Sequence, residues 1–439
     1  MSRALVAALA ILLLSLVATE PARAVPSFAE QTGLPCSECH VGAFGPQLKP
    51  FGRQFKLNGY TLGDGNHILP PVSAMAQTSF THTTAPQAGG AAPSFGPNDN
   101  LAADQTSIFV AGQIYDHLGA FIQLTYDGVG HDFHWDNTDI RYANSTTLAG
   151  HGLVYGVTLN NNPTVQDLWN TIPAWGFPFA ASPLAPTPGA ATLLDGGLAQ
   201  TVAGAGLYAD WDNLLYAELT TYHDIGLDGR EAFGIVPAAG QSMIDGFAPY
   251  WRVALHQEED GHSFEIGTYG LSADIFPAAI RSSGTDHFTD VALDAQYQYT
   301  PSEDWNLSAY LTWIHEDQRL SASQVLSGTN GTDSLDTVRS NASLTYQDTY
   351  TVNAQYFQTT GSNDAVAFAT PSGSPNNAGW IGEIDYTPSG KAGPSFLPPW
   401  LNVKLSAQYV AYTRFDGTSS GASANDTLYL LAWWAVPLF

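Results

Sequence analysis

Cysteine, lysine and arginine are scarce in this chain. Its 439 residues include two Cys, and 14 Lys and Arg stand against 40 Asp and Glu, for a formal charge of −26. This balance argues against a nucleic-acid partner and favours small cationic partners such as metal ions, although soluble acidic loops explain it equally well. A Gly-rich phosphate loop, a Gly-x-Ser-x-Gly elbow and a His-Glu-x-x-His helix are also missing, so hydrolases and nucleotide enzymes lack support.

Long apolar runs are scarce as well. The one run of note, residues 4–18, follows Arg3 and precedes the small-residue ending Ala22-Arg23-Ala24. It is too short and too close to the terminus for a spanning helix, which needs about 20 residues, and it has the form of an export signal. We therefore predict a signal peptide over residues 1–24 and an exported protein, which excludes the cytoplasm and the nucleus.

Both cysteines lie in one motif, Cys36-Ser37-Glu38-Cys39-His40. A Cys-x-x-Cys-His motif attaches c-type haem, because two thiols at this spacing reach the two vinyl groups of one porphyrin and the histidine becomes the proximal iron ligand. A small disulfide, half of a zinc site and a thioredoxin-like redox pair are the alternatives. Further ligands at zinc-finger spacing and a βαβ context are lacking, so we predict one covalently bound haem c on Cys36, Cys39 and His40.

The distal iron ligand is not specified by spacing. His67, Met75 and His82 follow the motif at distances from which the chain can fold back. Met75 would raise the haem potential relative to a second histidine, which suits the oxidation of a donor of fairly high potential. We therefore carry Met75 or His67 as the predicted distal ligand, with His82 as a further candidate.

Three basic residues follow the motif in an otherwise acidic chain: Lys49, Arg53 and Lys56. Arg binds carboxylates in a bidentate manner, so we predict that Arg53 contacts the haem propionates. For Lys49 and Lys56 we favour the simpler interpretation, in which they lie on the surface of a plug and face acidic barrel walls.

Segments of about ten residues with alternating apolar and polar positions fill the chain beyond residue 71. In residues 401–411, for example, the odd positions are Leu, Val, Leu, Ala, Tyr and Ala, and the even positions are Asn, Lys, Ser, Gln and Val. The composition, with 42 Gly, 20 Tyr, 11 Trp and 21 Phe, and an aromatic last strand ending in Phe439 are typical of an outer-membrane barrel. A soluble β-sandwich is the alternative. The alternation predicts sixteen strands, at residues 72–80, 106–114, 118–127, 131–143, 151–160, 200–211, 213–222, 245–257, 262–273, 288–300, 305–316, 336–346, 350–359, 379–388, 402–413 and 426–437.

The connections between these segments are alternately long and short. Barrels of this kind have short periplasmic turns and longer external loops, so the long first connection places the start of strand one, and with it both chain ends, on the periplasmic side. Residues 128–130 are short where a loop is expected, and residues 389–401 are long where a turn is expected. The Pro-rich connection at 161–199 is either an external loop or a pore constriction.

The N-terminal segment also resembles a known family. The sequence FAEQTGLPCSECH at 28–40, followed by FGRQFKLNGY at 51–60, looks like the start of the fused cytochrome–porins, whose best-known members are outer-membrane iron(II) oxidases. The resemblance implies a single-haem cytochrome leading a porin of about sixteen strands, with Cys36 and Cys39 binding haem and His40 ligating iron. It also implies electron flow from extracellular Fe(II) to a periplasmic c-type cytochrome.

Together these observations predict an all-β protein of three parts: a signal peptide (1–24), a short monohaem c-type cytochrome plug domain (25–71) and an antiparallel outer-membrane β-barrel of about 16 strands (72–439). The expected function is electron transport across the outer membrane, as an iron(II) oxidase or with another reduced donor. The alternatives are a porin channel that the haem domain plugs or gates, and a structural barrel with a vestigial haem site.

Overall fold

The chain is described by a computed structural model over residues 26–63, 70–234, 243–370, 372–394, 398 and 401–438. The predicted signal peptide and the ligand candidate His67 lie outside these ranges. Within them, no helix has the length and apolar character needed to cross a membrane. Most of the described residues are in β-strands.

A single antiparallel sheet closes on itself. Each long strand pairs with its neighbours in chain order, and β1 pairs with β17, so that sixteen long strands form a barrel. The predicted antiparallel barrel of about 16 strands is confirmed. One short strand, β8, was not predicted and pairs with the end of β10 beside β9. The strands are β1 (Val72–Thr83), β2 (Asn100–Tyr115), β3 (Leu118–Asp127), β4 (Asp132–Leu148), β5 (His151–Asn160), β6 (Val202–Trp211), β7 (Leu215–Asp224), β8 (Met243–Asp245), β9 (Ala248–Glu259), β10 (His262–Phe276), β11 (Asp286–Ser302), β12 (Trp305–Arg319), β13 (Thr332–Tyr346), β14 (Tyr350–Gly361), β15 (Asn377–Tyr386), β16 (Asn402–Arg414) and β17 (Thr427–Pro437).

The wall of the barrel is apolar outside and polar inside. In β7, Leu215 and Leu219 are exposed, whereas Glu218 and Thr220 are buried. Because successive side chains of a strand point to opposite faces, an alternating sequence produces one apolar and one polar face per strand. An outer face built from leucine and aromatic residues is the pattern of a barrel surrounded by lipid.

The two ends of the barrel differ. The turn end holds the start of β1 and the finish of β17, where Ser73 lies opposite Pro437, and most of its connections are short. Between β9 and β10, Asp260 (φ 49°) and Gly261 (φ 80°) both adopt the left-handed conformation that a two-residue hairpin turn of type I′ requires. The loop end carries most of the long connections. Both exceptions expected from the sequence are present, since β3 and β4 are joined tightly at the loop end and β15 and β16 by a long segment at the turn end.

Two connections at the loop end contain a short helix, α4 (Gly226–Ala232) after β7 and α5 (Ser321–Ser327) after β12. Neither helix was predicted from the sequence. Each helix is only seven residues long. At that length the apolar periodicity that distinguishes a helix has too few turns to be recognised.

Residues 26–63, called the plug segment here, lie inside the barrel near the turn end. They contain α1 (Pro26–Thr32), α2 (Cys36–Cys39) and α3 (Pro50–Leu57). Lys49 forms an ion pair with Asp348 in the turn between β13 and β14 (Nζ to Oδ1, 2.9 Å). Two further hydrogen bonds reach the strands themselves: Ser27 Oγ donates to Ser73 Oγ on β1 at 2.8 Å, and Gln47 Nε2 donates to Tyr310 Oη on β12 at 2.8 Å. The segment is therefore anchored to the wall on several sides.

The connection between β5 and β6, residues 161–201, also enters the lumen, and we call it the inserted loop. Its residues Leu168, Trp169 and Ile172 are buried. The loop reaches strands far from its own ends, for Leu194 N donates to Asp290 Oδ2 at 2.8 Å on β11 and Gln408 Nε2 donates to Ala180 O at 3.0 Å from β16. Of the two interpretations that the sequence allowed, the pore constriction is the one observed.

Candidate functional site

The cysteine motif forms a single helical turn in the plug segment. Pro35 precedes α2 in an extended conformation, and the turn closes where His40 N donates to Cys36 O at 2.9 Å. Residues three positions apart on a helix lie on the same side. The local sequence therefore brings Cys36 and Cys39 to one face, with His40 directly after the turn.

Helix α3 packs against this turn and fixes its position. Lys49 N donates to Cys39 O at 2.8 Å, and His40 and Leu48 form an isolated antiparallel bridge. A Cβ on Gly52 would lie 2.4 Å from Cys39 O, so only glycine allows α3 to approach so closely. The motif is held on a folded scaffold and not on a free loop.

The motif lines a cavity of about 520 Å³ between the plug segment, the inserted loop and the barrel wall, which we call the plug cavity. Cys36, Cys39 and His40 contribute to its lining, as does Met75 from β1. The volume lies within the range of about 300–1,000 Å³ that is usual for sites of small molecules and cofactors. Aromatic residues form a large part of the lining: Phe28, Phe44, Phe55, Tyr60, Phe109, Phe121, Trp175, Phe179 and Trp433.

The plug cavity extends along the barrel axis. At the turn end it is bounded by Asn402, the first residue of β16, and by Ala435 near the finish of β17. Toward the loop end the lining becomes polar, with side chains on β1 to β4. This polar part consists of Gln77, Gln105, Gln123, Asp136 and Asn137. One cavity thus joins the motif to polar groups deeper in the lumen.

His40 is a neutral imidazole with a free ring nitrogen. Burial lowers its pKa from 6.5 to about 4; a hydrogen bond with the Gln47 backbone opposes this shift, and the charge of Lys49 adds to it. Its Nδ1 is buried and has no hydrogen-bond partner within the described part of the chain. A neutral imidazole is the form that ligates iron. The histidine and the aromatic cavity beside it fit the predicted haem.

The two cysteines are free thiols. Burial raises the pKa of Cys36 to about 12 and that of Cys39 to about 11. The Cys36 thiol lies 3.5 Å from Asn402 Oδ1 on β16. Within the described ranges, no group of three or more His, Cys, Asp or Glu side chains is arranged to hold a metal ion.

Met75 lies on the lumen side of β1 and shares the plug cavity with the motif. Trp433 Nε1 on β17 lies 3.2 Å from its thioether sulfur and donates to it, and Phe44 and Phe179 pack around the same cluster. A thioether is a weak acceptor that keeps a lone pair available for a metal. Of the candidates for the distal ligand in the described ranges, Met75 is the one that the structure brings together with His40.

Comparisons with known proteins add a general likeness. No protein-family model matches the sequence, and no curated protein matches it. Among solved structures it is similar to OmpT of Vibrio cholerae in its trimer form, with a TM-score of 0.45 and 10% identity over 84% of this chain and 98% of that one. It is also similar to the anion-selective porin from Comamonas acidovorans (TM-score 0.44, 10% identity, 84% and 98% covered) and to the outer membrane channel DcaP of Acinetobacter baumannii (0.44, 9%, 83% and 96%). Likenesses at this level assign no role to any residue.

Arg53 is buried but does not line the plug cavity. Its Nη2 donates to Glu258 Oε1 at 2.9 Å and to Ser263 Oγ at 2.6 Å, and its Nη1 donates to Gln298 Oε1 at 3.0 Å. The guanidinium group is thereby used to attach α3 to the wall. The structure does not place Arg53 among the residues that line the plug cavity, and its contact with haem propionates stays a prediction.

The two lysines of the plug segment have different surroundings. Lys49 forms the ion pair with Asp348 described above, as expected for a plug that faces acidic walls. Lys56, in contrast, lines the plug cavity, and its Nζ donates to a backbone oxygen, Asp167 O, at 2.7 Å. The sequence did not distinguish between these two environments.

The remaining histidine candidate lies far from the motif. His82 is exposed near the loop end of β1, where its Nδ1 lies 2.7 Å from Asp99 Oδ1. It follows Met75 by seven positions on the same strand, which corresponds to about 23 Å. The structure therefore does not bring His82 to the plug cavity.

Three parts of the site were missed in the sequence: Asn402, Trp433 and the inserted loop. The two residues occupy lumen-facing positions of their strands, and both were within predicted strands. Alternation identifies such positions as inward-facing, but it does not say which of many inward residues meet the plug segment. The loop carries a high proline content but no motif, and its path depends on contacts with distant strands.

Proposed function

We propose that this chain is a monohaem c-type cytochrome fused to an outer-membrane β-barrel, and that it carries electrons across the outer membrane. The observation that supports this most directly is the meeting of four side chains in one cavity. Cys36, Cys39 and His40 come from the plug segment, and Met75 comes from the wall. The cytochrome–porin resemblance of residues 28–60 agrees with it.

The barrel provides the membrane part of the proposal. Its outward leucines and aromatic residues require an apolar surrounding, and exported barrels with this surface belong to outer membranes. Short turns usually face the periplasm, so the turn end and both ends of the barrel domain are assigned to that side. In this orientation the loop end faces the cell exterior.

The residues of the cavity have separate tasks in this proposal. When bound, haem c would supply reversible one-electron chemistry at its iron. Cys36 and Cys39 would hold the porphyrin covalently, and His40 and Met75 would ligate the iron. The aromatic lining and the inserted loop would keep bulk water from the iron, a condition that raises the reduction potential of a haem.

In this proposal, the position of the cavity allows a single haem to take part in electron transfer across the outer membrane. The apolar band of such a barrel is about 25 Å tall, which a carrier at the membrane surface does not cross. On β1 the cavity extends from Ser73 to Gln77, which are four positions and therefore about 13 Å apart. A haem in this cavity would lie within the half of the barrel nearest the turn end, within reach of a periplasmic c-type cytochrome.

We infer Fe(II) from outside the cell as the donor, with another reduced donor as the alternative. A small hydrated cation suits an acidic protein whose cavity becomes polar toward the loop end and there contains Asp136. A bulky donor would be stopped by the inserted loop. Each Fe(II) oxidised to Fe(III) would give up one electron, and the periplasmic cytochrome would receive it.

Haem attachment is the first test. Full-length protein is produced in a host that matures c-type cytochromes, and the denatured chain is stained for haem on a gel. We expect one covalently bound haem per chain, and none in a Cys36→Ser, Cys39→Ser double variant. An unstained wild-type chain would exclude the cytochrome function and leave a barrel.

The distal ligand is tested by the ferric absorption spectrum. Methionine ligation gives a near-infrared charge-transfer band, which we expect in the wild type and not in Met75→Leu. His82→Gln is the matched control, because His82 lies on the same strand but outside the cavity. Loss of the band in the control, or its survival in Met75→Leu, would assign the ligand elsewhere.

The donor is tested by adding Fe(II) to the oxidised holoprotein in detergent at acidic and at neutral pH. Appearance of the ferrous haem spectrum, in proportion to the iron added, supports iron oxidation. A haem that dithionite reduces but Fe(II) does not would point to another donor. This outcome would leave the electron-transport function intact.

The second candidate is a diffusion porin that the haem segment plugs or gates. A polar lumen inside a closed barrel favours it, whereas the plug segment and the inserted loop, which both occupy that lumen, disfavour it. Ion conductance of the full-length protein in planar bilayers separates the two. We expect the holoprotein to conduct far less than an open porin, and a large steady conductance would favour the porin.

A further inference from the structure

We propose that Lys56 is the cationic partner of a carboxylate ligand in the plug cavity, namely a propionate group of the haem. This inference rests on the proposed function. It assigns to Lys56 the contact that the sequence had suggested for Arg53. The two residues differ in whether they face the cavity and in how many of their hydrogen-bond donors are still available.

Lys56 is the one Lys or Arg among the described residues that line the plug cavity, and Asp136 in the polar part is the one Asp or Glu. The Lys56 side chain keeps partial exposure, as expected for a residue at the edge of a cavity. Its Nζ donates to Asp167 O at 2.7 Å and lies 5.7 Å from the centre of the Trp175 ring. An ammonium has three donors, so two of them are free for a ligand.

The ammonium of Lys56 has no ion-pair partner in the described part of the chain. Three carboxylates are near enough to influence it, those of Asp139, Asp167 and Glu218, and the positive charge of Arg141 opposes them. Each carboxylate already has other partners. They are Arg141 and Tyr60 for Asp139, the backbone amides of Trp169 and Ile172 for Asp167, and Tyr216 and Thr220 for Glu218.

A cation in such a place is costly unless an anion joins it. Burial, with the charge of Arg141 added, lowers the pKa of the Lys56 ammonium to about 8. Removing water from an ammonium without pairing it costs free energy, and a carboxylate at hydrogen-bond distance offsets this cost. The cavity that Lys56 faces is the one lined by Cys36, Cys39 and His40, whose predicted cofactor carries two propionates.

Arg53 shows the opposite arrangement three positions earlier on the same helix. Its Nε and Nη2 both donate to Glu258 Oε1, and further bonds go to Leu48 O, Gln298 and Ser263. Few of its donors remain for a ligand. Its charge is balanced by Glu258, and it does not line the cavity.

The test compares Lys56→Met with the control Lys391→Met in the holoprotein. Both changes remove one lysine, but Lys391 is exposed after β15 at the turn end, where it pairs with Glu303, and it is not among the cavity-lining residues. A positive charge beside a haem disfavours the oxidised state, so its removal should lower the reduction potential. We expect the equilibrium constant for oxidation to rise by about tenfold for Lys56→Met, or about 59 mV for a one-electron couple, and to change less than threefold for Lys391→Met.

Lys56→Arg should restore most of the wild-type potential, because it returns the charge. Lys56→Gln covers the case in which Lys56→Met does not fold, since it keeps a hydrogen-bond donor while removing the charge, and it should lower the potential as well. Equal potentials for the wild type and for whichever neutral variant folds would overturn the assignment. So would a control that shifts as far as Lys56→Met.

A free carboxylate ion could use the same ammonium, and the haem-free Cys36→Ser, Cys39→Ser protein distinguishes the two sources. Sodium propionate is added to the haem-free protein, and protection of the plug segment from proteolysis is measured with and without Lys56. If this protection requires Lys56 and Lys56→Met leaves the reduction potential of the holoprotein unchanged, the partner of Lys56 is a free carboxylate ion and not the haem propionate. Haem staining of the wild type is read separately. Its failure would remove the proposed function, whereas a stained protein with an unshifted potential would remove the Lys56 assignment alone.

Discussion

The barrel wall and the segments inside it depend on their sequences in different ways. A wall residue is placed by its own strand, because every second side chain points outward whatever the rest of the chain does. The plug segment and the inserted loop have no such repeat. Their positions depend on individual hydrogen bonds to distant residues, such as Asn170 Oδ1 accepting from Leu48 N at 2.9 Å and Gln47 donating to Tyr310.

This difference teaches where mutations should act. A change on the outer face alters contact with lipid and should change the free energy of unfolding of the whole barrel. A change inside the lumen alters one anchor of the plug segment or the inserted loop, and should affect the site while the wall stays folded. Substitutions on the two faces should therefore give separable effects.

Leu311→Arg should have the largest effect on stability. Leu311 is exposed on the outer face in the middle of β12, and an arginine near the bilayer midplane costs about 2–4 kcal/mol. Ser308→Ala on the lumen face of the same strand is the control and should cost no more than about 1.5 kcal/mol for its hydrogen bond. Reversible denaturant unfolding in lipid vesicles measures both, and equal losses would show that β12 does not face lipid.

Gly52→Ala should affect the lumen and leave the wall intact. The added methyl would lie 2.4 Å from Cys39 O, so α3 has to move away from the motif, at a cost of about 1–3 kcal/mol. We expect faster proteolysis of the plug segment and a less stable haem spectrum. The folded barrel should keep its migration on unheated gels, and loss of that migration would contradict the separation of wall and plug.

Acid should loosen the haem-free plug segment through His40. Its pKa is about 4 when folded, against 6.5 for an unperturbed histidine, so the unfolded chain binds the proton more readily between these values. The stability that the neutral His40 contributes to the plug segment is therefore fully present above about pH 6.5 and is lost as the pH falls through about 4. The loss is on the order of 2 kcal/mol, because part of the ring faces the cavity.

The measurement is the rate of plug proteolysis from neutral to acidic pH in the Cys36→Ser, Cys39→Ser protein. Carboxyl groups also titrate in this range, so His40→Gln in the same background isolates the histidine. The slope with pH should be shallower in that variant. An unchanged slope would show that His40 is not buried as a neutral ring.

Trp433→Phe should have the smallest effect. It removes the indole N–H that donates to the Met75 sulfur at 3.2 Å but keeps an aromatic ring beside Phe44. Loss of one hydrogen bond costs about 0.5–1.5 kcal/mol. We expect a modest change in the near-infrared band of the holoprotein with the barrel unaffected, and an unaltered band would mean that the tryptophan does not orient Met75.

The barrel wall could be predicted from the sequence, whereas the paths of the segments inside it could not. All sixteen long strands lie where alternation indicated them, and β3 and β5 have the predicted bounds, Leu118–Asp127 and His151–Asn160. Strand β8 was missed because three residues carry no recognisable period. The path of residues 161–201 was left open, since proline content indicates an irregular chain but not whether that chain turns inward.

The residues of the motif could be picked out from the sequence, whereas the residues that surround them could not. Cys36, Cys39 and His40 are recognisable by their spacing, because one helical turn fixes their mutual arrangement. The choice between Arg53 and Lys56 depended on which wall residues each would meet, and Glu258 stands 205 positions from Arg53. Arg is the stronger carboxylate binder in general, and here that strength is used on the wall.

The seam between the first and last strands has a consequence for how the molecule is made. The plug cavity has lining residues on β1, β16 and β17, so it is bounded on both sides of that seam, and the Cys36 sulfur lies against Asn402. If a porphyrin is joined to this cysteine in the periplasm before the sheet closes, the last pair of strands would form around cargo that is already loaded.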